Sequence, residues 1–179
     1  MAATHHAQTV RQDTKGFITE ALLEAVRREP LGQVTVAQVC QRAGVSRMAF
    51  YRNFGSLEQV LEEYYSSQVA PVFEVIRRSQ SFEEKHDRQQ GLFEAIGDEM
   101  VLSLRHGFEP VIRRVFVAEI RGFYEGELDA YWLEFLSAGV YAIWQKWLID
   151  GRQRPLREIM HFLKEVDLQV GLGRPRASS

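Results

Sequence analysis

One cysteine, Cys40, is all that this chain of 179 residues contains, so no disulfide can close within it and the disulfide-stapled classes of small protein are excluded. A lone thiol of this kind suits a reducing compartment. The chain also lacks any apolar run approaching the roughly 20 residues that a membrane-spanning helix needs. Met1 to Val10 is polar, without the apolar centre of a secretory signal. Strand-type alternation of apolar and polar residues is missing, and so are internal repeats. The usual marks of catalysis are missing too: no glycine-rich loop to cradle phosphate, no His and Glu at metal-binding spacing, no Ser set between glycines. His5 and His6 stand without the further ligands that a metal requires. These absences predict a cytoplasmic, non-enzymatic, all-α protein with no catalytic residue, cofactor, metal or membrane partner.

What is present is most specific at residues 34 to 55, Val-Thr-Val-Ala-Gln-Val-Cys-Gln-Arg-Ala-Gly-Val-Ser-Arg-Met-Ala-Phe-Tyr-Arg-Asn-Phe-Gly. Thr35 caps a first short helix whose inward face is Val36, Val39, Cys40 and Ala43. Gly44 falls where that helix must stop in a left-handed conformation, costly to any residue with a Cβ. Val45 plugs the corner, and Ser46 starts a second helix, Arg47 to Phe54. Phe50 and Phe54, four apart, turn inward, which leaves Arg47, Met48, Ala49, Tyr51, Arg52 and Asn53 on the other faces with no acid among them. An ordinary surface helix mixes Glu with Lys, whereas this composition suits contact with phosphates and base edges. The layout is that of a DNA-binding helix-turn-helix. The candidate contacts to double-stranded DNA are Thr35, Ser46, Arg47, Met48, Ala49, Tyr51, Arg52 and Asn53. The first turn, Arg47 to Ala49, would read bases, and Tyr51, Arg52 and Asn53 would hold the backbone.

The run Gly44-Val45-Ser46-Arg47-Met48-Ala49-Phe50-Tyr51-Arg52-Asn53-Phe54-Gly55-Ser56, preceded by the helix around Phe17 to Val26, resembles the DNA-binding domain of the tetracycline repressor-like (TetR) transcription regulators. The resemblance implies a three-helix N-terminal domain, a homodimer on a palindromic operator, and a C-terminal helical domain that usually binds a small effector. One position departs. After Phe-Gly-Ser the family commonly carries a Lys that meets a phosphate, and this chain has Leu57. Leu57 either forfeits that contact or packs as an apolar wedge under Tyr51 or Tyr65.

Charge is split along the chain. Residues 1 to 55 carry seven Lys or Arg against four acids, net +3, and the remainder carries 15 against 20, net −5. A basic end on an acidic body orients weakly toward a polyanion. The first helix is expected from about Asp13 to Arg28, with Phe17, Ile18, Ala21, Leu22, Ala25 and Val26 as its apolar stripe and Lys15 near enough to its start to reach a phosphate. Residues 1–12 read as a flexible arm, 13–55 as the helix-turn-helix domain, 56–170 as a helical bundle for ligand binding and dimerisation, and 171–179 as a disordered tail.

In the second domain, Ser56 and Gln59 are spaced as a capping box, Pro71 would kink or interrupt the helix that follows, and the polar stretch 77–90 reads as a solvated connector. Helices recur over Leu92 to Leu104 and Glu109 to Ile120, separated at Gly107. Leu128 to Ile149 is apolar around most of its circumference, so it needs a second partner surface, and Ala138, Gly139 and Ala142 permit close approach. With a last helix from about Leu156, it is similar to the dimerising pair of the same regulators. The candidate dimer interface is Leu136, Gly139, Val140, Ile143, Trp147, Ile159 and Phe162. The candidate pocket for a hydrophobic or aromatic effector is Phe93, Met100, Phe108, Tyr131, Trp132 and Phe135, with Trp144 among the further aromatics available. The reading reached is a ligand-responsive, homodimeric transcriptional repressor. The alternative is an architectural DNA-binding protein with no effector.

Overall fold

A computed structural model of the chain describes the backbone of residues 2–124, 126 and 128–172 and, within these, the side chains of residues 13–124, 126 and 128–166. Among the described residues there are eight α-helices and no strand: α1 (Ala2–Arg28), α2 (Val36–Ala43), α3 (Arg47–Asn53), α4 (Leu57–Arg78), α5 (Phe82–His106), α6 (Glu109–Tyr124), α7 (Ala130–Ile149) and α8 (Leu156–Leu172), with one 3-10 turn at Leu31–Gln33. The all-α class is as expected. The chain divides into two compact units, one reaching to Ser66 and including Leu102–Ile112, the other holding Ser67–Val101 and the residues from Arg113 onward. The expected boundary at residue 56 therefore differs from the division observed, which falls inside α4.

In the first unit α1 lays Ile18, Ala21, Leu22, Ala25 and Val26 into the core. The spacing of three and four keeps these residues on one side of the helix. Two expectations are corrected here. The backbone is helical from Ala2 and not from about Asp13, and Phe17 lies off the stripe, 56% exposed. The helix ends before Pro30, whose ring leaves no N–H to continue it, and Leu31 in the following turn is buried. The start of α4 completes this core with Val60, Leu61 and Tyr65, the last stacked against Phe108 at 6.4 Å between ring centroids.

In the second unit the polar stretch 77–90 is not a connector. It is the end of α4 and the first turns of α5, which starts at Phe82. Ser81 Oγ accepts from the backbone N–H of Glu84 at 3.3 Å, and Glu83 and Glu84 place negative charge at the positive end of the helix dipole. Gly107 breaks α5 from α6 with φ +76°. Asp129 caps α7 by accepting from the N–H groups of Tyr131 and Trp132. The turn from α7 to α8 uses φ +74° at Gly151 and φ +58° at Arg152, and Trp147 Nε1 pins it by donating to Arg154 O at 2.7 Å. Pro71 neither ends nor splits α4, which is helical on both sides of it. The tail expected at 171–179 lies outside the described residues except for Gly171 and Leu172, which are helical.

Candidate functional site

The corner between α2 and α3 is built by local hydrogen bonds that the sequence spells out. Thr35 Oγ1 accepts from Gln38 N at 3.3 Å while Gln38 Oε1 accepts from Thr35 N at 2.7 Å, a complete capping box. Gly44 takes φ +67° and ψ +27°, and the N–H of Val45 returns to Cys40 O at 3.0 Å, so the last carbonyls of α2 are satisfied as the chain turns. Ser46 Oγ then accepts from Ala49 N at 3.1 Å and opens α3. Phe50 and Phe54 are buried and bring the second helix down onto the core.

The outer face of α3 is bare of acids and open. Met48 is 72% exposed and Tyr51 60%, an unusual surface for large apolar groups with nothing covering them. Arg47 and Arg52 are exposed beside them, and Ala49 and Asn53 are half-buried at the margin. Arg52 Nε donates to Met48 O and Asn53 Nδ2 to Ala49 O, so both side chains are held against their own helix. Thr35 and Ser46 are exposed caps at the two helix starts. All eight candidate contacts therefore fall on one corner of the first unit.

Three neighbouring expectations change. Lys15 is engaged, ion-paired with Glu63 and set 4.8 Å over the Phe54 ring, and not extended toward a phosphate. Gln59 N donates to Ser56 Oγ at 3.2 Å, but the reciprocal bond runs one residue further back, from Gly55 N to Gln59 Oε1 at 2.6 Å. Leu57 is buried, so an inward-packed side chain stands where similar regulators commonly carry the Lys. Cys40 is buried as well. Its burial pushes the thiol pKa up, the Arg47 guanidinium pulling weakly the other way, and the thiol is a packing group here.

The second unit holds a cavity of about 340 Å³, the size of small-molecule sites. Phe73, Phe82, Lys85, Gln89, Trp144 and Lys164 are among its walls. Trp144 is wedged edge-on against Phe73, Phe93 and Phe116 with centroids 5.6 to 6.1 Å away. Its Nε1 is buried with no hydrogen-bond partner, and so is Gln89 Oε1. An orphaned buried polar atom costs about 1–3 kcal/mol, so two on residues that line one cavity call for an explanation. Next to Phe82, Arg157 clasps Glu83 through two bonds of 2.7 and 2.6 Å, holding the Glu83 carboxyl below the usual carboxylate range. His161 stacks on Phe82 at 4.7 Å.

None of the six residues expected to line an effector pocket lines this cavity. Phe93, Met100 and Phe108 are buried in tightly packed core, Tyr131 and Phe135 are exposed at 90% and 61%, and Trp132 is half-buried against Phe135. The expected dimer residues divide similarly. Leu136, Trp147 and Ile159 are buried within their own chain, and Val140 borders the cavity. Gly139 and Ile143 are half-buried and Phe162 is exposed. An apolar strip that the chain itself leaves uncovered does run along α7 and onto α8, through Tyr131, Phe135, Ala142, Ile149 and Phe162.

An all-α chain with a double-capped corner and an acid-free second helix is a helix-turn-helix protein. The family model of the bacterial regulatory proteins, tetR family, matches residues 18–64, from the core face of α1 through α3 into α4. An uncharacterised HTH-type transcriptional regulator of Mycobacterium tuberculosis (strain CDC 1551) is 27% identical over 120 residues, covering 63% of this chain and 59% of the relative. Similar regulators of Mycobacterium tuberculosis H37Rv and Mycobacterium bovis give the same figures. The matching segment thus spans 59% of the length of these relatives. Over residues 18–64, then, the chain is similar to the N-terminal DNA-binding domain of the tetR family of bacterial regulatory proteins. No helix among the described residues is long and apolar enough to cross a membrane.

Proposed function

We propose that the protein is a sequence-specific transcriptional repressor that binds a palindromic operator as a homodimer and releases it when a small molecule occupies the second unit. The observation that carries the reading is the outer face of α3, where Met48 and Tyr51 stand exposed between Arg47 and Arg52 with no acid on the helix. Exposed apolar tips flanked by guanidinium groups match thymine methyls, guanine edges and phosphates at once. The apolar strip on α7 and α8 supports dimerisation, which would set two α3 helices about one turn of DNA apart. The cavity supports an effector, acting by preferring the dimer whose α3 spacing does not fit the operator. Such a regulator works in the cytoplasm, where bacterial DNA is. The eight corner residues from Thr35 to Asn53 make the contacts in this reading, and it requires no catalytic step.

Selection of bound fragments from a random DNA pool tests it. The expected result is one palindromic consensus, bound at least about a thousandfold tighter than bulk DNA. Enrichment with no consensus would replace the repressor by an architectural DNA-binding protein, and failure to retain any DNA would overturn both.

A further inference from the structure

Resting on the effector reading above, we propose that the cavity of the second unit takes a small amphipathic anion: an apolar or aromatic body bearing one carboxylate and one N–H or O–H.

The charge comes from two lysines. Lys85 on α5 and Lys164 on α8 both line the cavity, and no Asp or Glu is among the described lining residues. Neither lysine has a carboxylate partner among the described residues. Several other basic groups of the same unit are paired: Arg77 with Glu74 and Glu119, Arg121 with Glu134, Arg152 with Asp98, Arg154 with Glu158 and Arg157 with Glu83. Two unpaired ammonium groups at one cavity without a counter-ion raise the local concentration of anions and disfavour cations.

Orientation comes from the two orphaned atoms. An indole N–H only donates, so Trp144 Nε1 needs an acceptor, which a carboxylate oxygen supplies. Trp144 is 4% exposed and its ring is fixed by three phenylalanines, so the protein cannot satisfy this donor by turning the side chain. Gln89 lies one helical turn from Lys85 on the same face of α5, and its buried Oε1 needs a donor, the N–H or O–H of the ligand. Phe73, Ile76, Phe82 and Met160 supply apolar wall for the body. A purely hydrophobic ligand would leave both buried polar atoms as they are, and a cationic one would meet two ammonium groups.

Calorimetric titration of the full chain with indole-3-acetate, its neutral amide and tryptamine tests the proposal, since the three share one body and N–H and differ in charge. The acetate should bind at least tenfold tighter than the amide, with tryptamine weakest, and the preference should shrink as salt is added. Lys85→Gln with Lys164→Gln, both near the surface, should melt as the wild type does and bind acetate and amide equally. Trp144→Phe should weaken the acetate, and where that variant melts early, Gln89→Leu gives the second polar readout. Equal binding of all three compounds by the wild type overturns the anion assignment and leaves the effector cavity standing. Binding of none of them by the folded protein overturns both.

Discussion

His106 Nδ1 stands 2.6 Å from the main-chain oxygen of Val26, 80 residues earlier. In a helix that oxygen would accept from residue 30, but residue 30 is a proline and has no N–H to give. The imidazole replaces the missing donor, and because a carbonyl only accepts, Nδ1 carries a proton. The end of α5 is thereby fastened to the end of α1 within the first unit.

His106→Ala should accordingly cost about 1–2 kcal/mol, the price of one buried carbonyl left unpaired. His106→Asn, whose amide nitrogen lies near the place of Nδ1, should recover a good part of it. Urea midpoints of the three proteins decide. Equal midpoints for wild type and His106→Ala would show that water replaces the ring without loss.

Leu57 invites the substitution that would restore the family's usual phosphate contact. Because its side chain is buried at the start of α4, Leu57→Lys should lower stability by about 1–3 kcal/mol. Thermal melting alongside DNA titrations at several salt concentrations separates the outcomes: a stable variant with a steeper salt slope would mean that the ammonium reaches a phosphate after all.

On α3 the exposed residues should divide by role. Met48 variants should shift the preferred base sequence, while Tyr51→Phe should lower affinity by a similar factor for every sequence, roughly three- to tenfold for one neutral hydrogen bond. Repeating the selection with each variant checks this, and a new consensus from Tyr51→Phe would reverse the assignment.

Ala142 is exposed on α7 in the single chain and no hydrogen bond or ion pair depends on it. Ala142→Glu should therefore leave the protomer's melting point within a few degrees, a change of about 0.5 kcal/mol, and convert dimers to monomers. Light scattering at micromolar concentration reads the result. A wild type that is already monomeric contradicts the dimer.

The corner of the first unit was legible because its signals are local. A cap three residues from its partner, a glycine at the stop and a serine at the restart fix that geometry without help from the rest of the chain, as Thr35, Gly44 and Ser46 do. The second unit resisted for the opposite reason. On α7 nearly every residue is apolar, so spacing alone cannot say that Trp144 faces inward while Tyr131 and Phe135 face out. The first turns of α5 look like a connector because Phe82 is the one large apolar side chain until Leu92, and what makes them helical is Ser81 and the acids behind it. Lys85 and Gln89 became visible only once five helices had closed around them.

Pro71 gives α4 a mechanical property of its own. The helix continues through it, yet one rung of the ladder, the bond back to residue 67, is missing. Residue 67 is also where the chain passes from one compact unit to the other. The stretch of α4 that carries the chain from one unit to the other is thus held by one backbone hydrogen bond fewer than an unbroken ladder would give it.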